Sequence, residues 1–157
     1  MVCQRQSGRG FSLTDTLVAS VVLVIAILGN SGYRYQSLLS AQRADRWKTA
    51  ATTAQFLCQS WAGMQGIGTF NPVSALGSSI TIAADAGPSA DAGFTSRGSY
   101  HVDLNGDRYF ATLAWKDVES GLRALNVKVA WAQSKRGSTT FADADKSFAL
   151  TAYAVTP

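Results

Sequence analysis

The chain is short of charge. Asp, Glu, Lys and Arg together make up 15% of its 157 residues, against about 25% in an average soluble protein, and none of them falls between Thr16 and Tyr33. Cysteine, proline and histidine are also scarce, at two, three and one. Cys3 lies before the longest apolar run and Cys58 well after it. If that run crosses a membrane the two thiols lie on opposite sides, so no disulfide framework is expected and Cys58 reads as a small buried hydrophobe. Because Cys3 precedes the run, a lipoprotein signal is excluded too. The only histidine, His101, would have to carry a Ser/His/Asp triad without a nucleophile elbow, and no phosphate loop, zinc spacing or cofactor fingerprint occurs. No catalytic residue, metal or cofactor is therefore expected. With 46% apolar residues in this length, one ordinary domain fits, while a disordered tail or a multidomain enzyme does not.

The apolar surplus is concentrated. Phe11 to Gly29 holds nineteen residues with Asp15 as the only charge, and as a helix it spans about 28 Å, close to the roughly 30 Å of a bilayer's hydrocarbon core. Residues 1–10 are polar and carry Arg5 and Arg9, as expected of a segment left in the cytoplasm. The formal charge of +4 falls to +2 without these two arginines. Arg34, Arg43, Arg46 and Lys48 then form the one basic cluster, read as headgroup contacts or a solvated helix face. Nucleic acid is not indicated, because no matching basic run recurs.

No proline precedes Pro72, so the helix is expected to continue past the apolar run. Trp47, Ala50, Ala54, Leu57, Cys58 and Trp61 recur at three- and four-residue steps, making a stripe that fits against a sheet. Gly63, Gly66 and Gly68 end it. Gly29 and Gly32 mark a weak point inside the helix, either a place to bend or melt or a place where a neighbouring helix can approach closely. Residues 66–99, rich in Gly, Ser and Ala, read as a surface connection with room for one short strand at Ile80 and Ile82. Beyond it the period becomes two: Tyr109, Ala111, Leu113, Trp115; then Leu125, Val127, Val129, Trp131; then Phe148, Leu150, Ala152. These are strands of an antiparallel sheet. Asn105-Gly106 is the pair favoured by a type I′ hairpin, and residues 134–147 join the last two strands. The fold class is α+β, a long N-terminal helix packed on a C-terminal antiparallel sheet, with Trp47, Trp61, Trp115 and Trp131 shielded in it.

Two acidic stretches carry oxygen ligands. Asp103-Leu104-Asn105-Gly106-Asp107 has the spacing of the start of a calcium loop but lacks the bidentate acid that completes one, so a hairpin turn explains it. Asp143-Ala144-Asp145 reads as a solvated loop.

The most specific pattern is Gly10-Phe11-Ser12-Leu13-Thr14-Asp15-Thr16-Leu17-Val18-Ala19, with basic residues before it and the apolar run after it. It resembles the prepilin signal of type IV pilins and type II secretion pseudopilins. The Ala-Gln-Phe-Leu of residues 54–57 and the repeated Ala-Trp at 114–115 and 130–131 are similar, in outline, to PilV-like minor pilins and I-type minor pseudopilins.

The resemblance implies a leader over 1–10, cleavage between Gly10 and Phe11 by a prepilin peptidase, and methylation of Phe11 as the new N-terminus. Residues 11–32 would be the transmembrane and assembly helix and 33–157 the soluble pilin-like domain. Asp15 would be the assembly acid, where the family usually carries the longer Glu. The implied protein is not an enzyme but a structural subunit, a minor pilin that helps initiate or modify a type IV pilus, or a minor pseudopilin of a secretion system. Its partners would be the peptidase, a major pilin and other minor pilins or pseudopilins, an inner-membrane assembly platform and membrane lipid. It would sit in the inner membrane with the N-terminus cytoplasmic and the domain outside. From a different class, an ordinary signal sequence cleaved near Gly29 or Gly32, or kept as an anchor, would instead precede a β-rich binding domain.

Overall fold

A computed structural model describes residues 12–134 and 137–156. Helix α1 runs from Leu13 to Gly63, and its backbone is continuous through Gly29 and Gly32. It is followed by α2 (Pro72–Leu76) and by strands β1 (Thr81–Ala84), β2 (Thr95–Leu104), β3 (Asp107–Glu119), β4 (Leu122–Trp131) and β5 (Lys146–Val155). The chain divides into two compact units, residues 1–42 and 43–157. The second is the α+β unit, in which the last third of α1 packs on a five-stranded antiparallel sheet of order β1-β2-β3-β4-β5.

The helical stripe is where the periodicity places it. Ala50, Ala54, Leu57, Cys58 and Trp61 are all buried against the sheet residues Tyr109, Ala111, Leu113, Leu125, Val127 and Val129. Period-two alternation puts those strand residues on one face, as a half-covered antiparallel sheet requires. Beyond Gly63 the chain turns sharply. Gln65 and Gly66 both take positive φ, and a Cβ at Gly66 would stand 3.1 Å from Cβ of Ala154 and 3.3 Å from Cδ2 of Leu125. The indole of Trp61 donates to the carbonyl of Ile67 at 3.0 Å and stacks on Phe70. The helix end is thereby tied to the sheet it covers.

The hairpin at Asn105-Gly106 has the expected geometry, with φ of 54° and 81° and Leu104 paired with Asp107. A second tight turn, Ser120-Gly121, joins β3 to β4.

Three expectations need correction. The connection 66–99 is more structured than its composition suggests. Asn71 caps α2 by accepting from the amide of Val73, Pro72 follows at the first helical position, and β2 begins at Thr95. Cap and proline are local signals that the Gly/Ser/Ala count concealed. Trp47 is not shielded, being 54% exposed with its ring edge to face with Phe148. It lies one turn short of Ala50, where full burial begins, at the margin of the sheet where β4 ends and β5 starts. Trp115 is half-buried, under the guanidinium of Arg123 at 4.1 Å, while Trp61 and Trp131 are buried. Arg46 is not a solvated or headgroup residue. It donates to the carbonyls of Ala132 and Gln133 at 3.0 and 2.8 Å and faces Asp107 at 3.4 Å, fastening the helix to the end of β4.

The stripe's contribution is testable. Leu57→Ala should lower unfolding free energy by about 2–5 kcal/mol, as deletion of a fully buried Leu does, and Trp47→Ala by about 1 kcal/mol, the size of an aromatic pair. Denaturant titration of the detergent-solubilised chain, followed by circular dichroism, measures both. Equal losses would mean that the buried stripe does not hold helix to sheet.

Candidate functional site: an apolar helix without a cover

Residues 13–38 of α1 differ from the rest of the helix because their apolar side chains surround it rather than forming a stripe. Leu13, Leu17, Val18, Val22, Leu23, Ile25, Ile27 and Leu28 are all more than half exposed. The most apolar eighteen-residue window has a mean hydropathy of 1.9, and none of it is buried. By length and composition this helix can cross a membrane, properties that an anchor and a signal sequence share. A helix apolar all round needs lipid or other protein about it. Asp15 lies in its first turn, exposed. Its candidate partner Phe11, and Gly10 before it, lie outside the described residues. A Cβ at Gly29 or Gly32 would meet nothing within 4 Å, and between them Ser31 donates its hydroxyl back to the carbonyl of Ile27 at 2.9 Å. Neither glycine is required by a contact among the described residues.

Several aspartates of the second unit hold turns and loops. Asp103 takes a two-pronged hydrogen bond from Arg108, at 2.7 Å from Nε and 3.0 Å from Nη2. That bond, more than the charge alone, holds its carboxyl below the usual carboxylate range. Asp107 accepts from the amide of Gly137 and faces Arg46. The Asp103–Asp107 turn thus points its two carboxylates at different internal partners. His101 places Nδ1 2.9 Å from Asp85, with Nε2 3.8 Å from Asp103.

Asp143 accepts from the hydroxyls of Ser138 and Thr140. Asp145 accepts from the amide of Gln133 and the hydroxyl of Ser134, and the backbone bond is the chief cause of its lowered pKa. Among the described residues no group of three or more His, Cys, Asp or Glu side chains is arranged to hold a metal ion. Cys58 is a buried free thiol, its pKa pushed up by burial.

One polar cluster was not legible in advance. Asp91, from the 85–94 loop, reaches Nζ of Lys128 at 2.8 Å and the side-chain amide of Asn126 at 3.3 Å, and Asn126 also donates to Thr151. Lys128 is the main cause of the lowered pKa of Asp91. Lys128 occupies the outward position in an alternating strand, and nothing in the sequence brings a residue 37 positions earlier to it. The same loop approaches the sheet so closely at Gly87 that a Cβ there would fall 2.7 Å from Oγ1 of Thr112. A separate cleft of about 580 Å³ opens beside Trp47, between Arg43 on the helix and Gln133, Asp145 and Lys146.

Models of known protein families, curated proteins and solved structures provide no match to this chain.

The three lowered carboxyl pKa values set an acid dependence. A carboxylate whose folded pKa is depressed contributes stability above its unfolded pKa, near 4, and that stability is lost as pH falls through the lower folded value. The melting temperature should therefore hold from pH 7 to about pH 5 and fall below about pH 4. Asp103→Asn should lower the melting temperature at pH 7 and make the acid decline shallower, because one of the three linked protons is gone. An unchanged decline in that variant would remove Asp103 from the acid response.

Proposed function

We propose that the chain is a minor type IV pilin, a structural subunit processed by a prepilin peptidase at Gly10-Phe11 and built into a pilus through its apolar helix. The observation that carries this reading is the combination of the Gly10-Phe11 signal with Asp15 and an uncovered apolar helix directly after them. The α+β unit that follows, a helix stripe on an antiparallel sheet, is of the kind the resemblance implies.

The mechanism is an exchange of surroundings. The apolar segment waits in the inner membrane, where lipid covers it. It then moves into the filament, where neighbouring helices cover the same side chains. A carboxylate in such surroundings is costly unless paired. The amine of Phe11 on an adjacent subunit supplies the opposite charge to Asp15. Gly29 and Gly32 allow the helix to yield, or a neighbour to approach, where the apolar run ends.

Cleavage tests the reading directly. Coexpression with a prepilin peptidase should give a mature protein beginning at Phe11 by intact mass, with the apolar helix retained. A mature N-terminus near Asn30 or Tyr33 would instead support an ordinary signal sequence ahead of a secreted binding domain.

Asp15 gives a second test. Asp15→Ala should spare folding and cleavage but deplete the subunit from sheared filaments, since removing one partner of a buried charge pair costs about 3–5 kcal/mol. Asp15→Glu should be incorporated at least as well as wild type. Equal incorporation of the alanine variant at matched membrane levels would take Asp15 out of assembly.

A further inference from the structure

The sheet ends on one side in a strand with almost none of the features that usually protect an edge. β5 is ten residues long, pairs with β4 without a register break, and contains no proline. Its only charge is Lys146, at its first position. Natural edge strands are commonly short, bulged, prolyl or charged, because a free edge offers a row of unpaired amides and carbonyls to any other strand. The opposite edge, β1, has only four residues. Beside β5, on the helix side of the sheet, lies an apolar groove of about 310 Å³ between Ala51, Gln55, Gln59 and Ala62 of α1 and Phe148 and Leu150 of the strand. No charged residue lines it. On the other face Tyr153 and Val155 are 64% and 74% exposed.

The side-chain sequence of β5 is complementary to itself read backwards. With two copies antiparallel and Thr151 opposite Thr151, Phe148 faces Ala154, Leu150 faces Ala152, Tyr153 faces Ala149 and Val155 faces Ser147. Every large residue meets a small one. Thr opposite Thr is itself a favourable cross-strand pair. Lys146 faces Thr156, so the two lysines lie at opposite ends of the ladder and do not repel. Edge pairing about a two-fold axis normal to the sheet keeps each face continuous, so the groove of one copy adjoins that of the other. A register shifted by two residues in one direction would set Leu150 against Leu150, and in the other would set Tyr153 against Thr151 and shorten the ladder at the Lys146 end.

We infer that the free edge of β5 is an interface for a second copy of this chain, paired antiparallel about Thr151 to make a ten-stranded sheet. Trp47 lies beside Phe148 and Cys58 beside Ala152, so α1 runs along β5 in the same direction. The packed helices of the two copies therefore run in opposite directions. Such an isologous pair closes on itself. It cannot be a step in a filament whose subunits all point one way, so pairing through β5 is a state separate from filament incorporation, and the inference does not rest on the pilin reading.

The test uses the full chain in mild detergent with Cys3→Ser, leaving Cys58 buried. Sedimentation should show a concentration-dependent dimer. Thr151→Cys should give a disulfide-linked dimer on oxidation, because position 151 alone faces itself. Ala149→Cys and Tyr153→Cys should crosslink poorly as single variants and well when mixed. Thr151→Lys should shift the chain at least tenfold in concentration toward monomer, with circular dichroism confirming the fold. A wild-type chain that stays monomeric throughout overturns the inference and leaves the edge to another polypeptide. Crosslinking of Ala149→Cys alone as readily as Thr151→Cys overturns it as well, since the register would then be absent.

Discussion

The second unit depends on the contact between the last turns of α1 and one face of the sheet. A five-stranded antiparallel sheet with Val102, Leu113, Leu125, Val127 and Val129 on one side has a face that water cannot be left to cover. The helix covers it with residues chosen for close approach. Ala50 and Ala54 bring the helix backbone near, and Leu57 and Trp61 fill the remaining depth. The features around the contact follow from it. The turn at Gln65-Gly66 must fit tightly because it returns the chain over Leu125 and Ala154, and Arg46 reaches the end of β4 because the helix already lies there.

The two parts of α1 show how one regular element serves two environments. From Ala50 to Trp61 the buried side chains fall on one stripe, with polar residues such as Gln55, Gln59 and Ser60 elsewhere. From Leu17 to Leu28 the apolar residues go all the way round and are exposed throughout. A stripe is satisfied by one sheet, but an apolar cylinder is satisfied only by a medium. That difference closes the helix–sheet core of the second unit within a single chain, and leaves the apolar side chains of the first to be covered by lipid or by other protein.

The charged groups of the second unit work mainly as fasteners. The outer face of the sheet holds the buried polar residues Thr112 and Asn126 and the buried ring of Phe110. Two loops close over it. Residues 85–94 are held by Asp85 to His101 and by Asp91 to Lys128, and residues 137–145 by Phe141 on Phe110 and by Thr139 to Arg108. The amide nitrogen of Asn126 finds acceptors in Asp91 and Thr151, while its buried carbonyl oxygen has no partner among the described residues, so the cost of burying the amide is only partly offset. Asp107, Asp143 and Asp145 accept hydrogen bonds from residues 133–140 and so help to hold the second of these loops.

Local patterns determined a good deal. The apolar run, the helical stripe, the period-two strands, Asn105-Gly106 and the α+β class all rest on interactions between near neighbours, or on a periodicity that only one element satisfies. Asn71-Pro72 was equally local but was hidden by the loop-like composition around it. What tertiary structure alone decided were the meetings of distant residues: Arg46 with the carbonyls of 132 and 133, Asp91 with Lys128, and Trp47 left half in solvent at the margin of the sheet. Periodicity says which side of an element faces inward. It does not say how far along the element the opposing surface extends, because that depends on where strands 80 to 100 residues away begin and end.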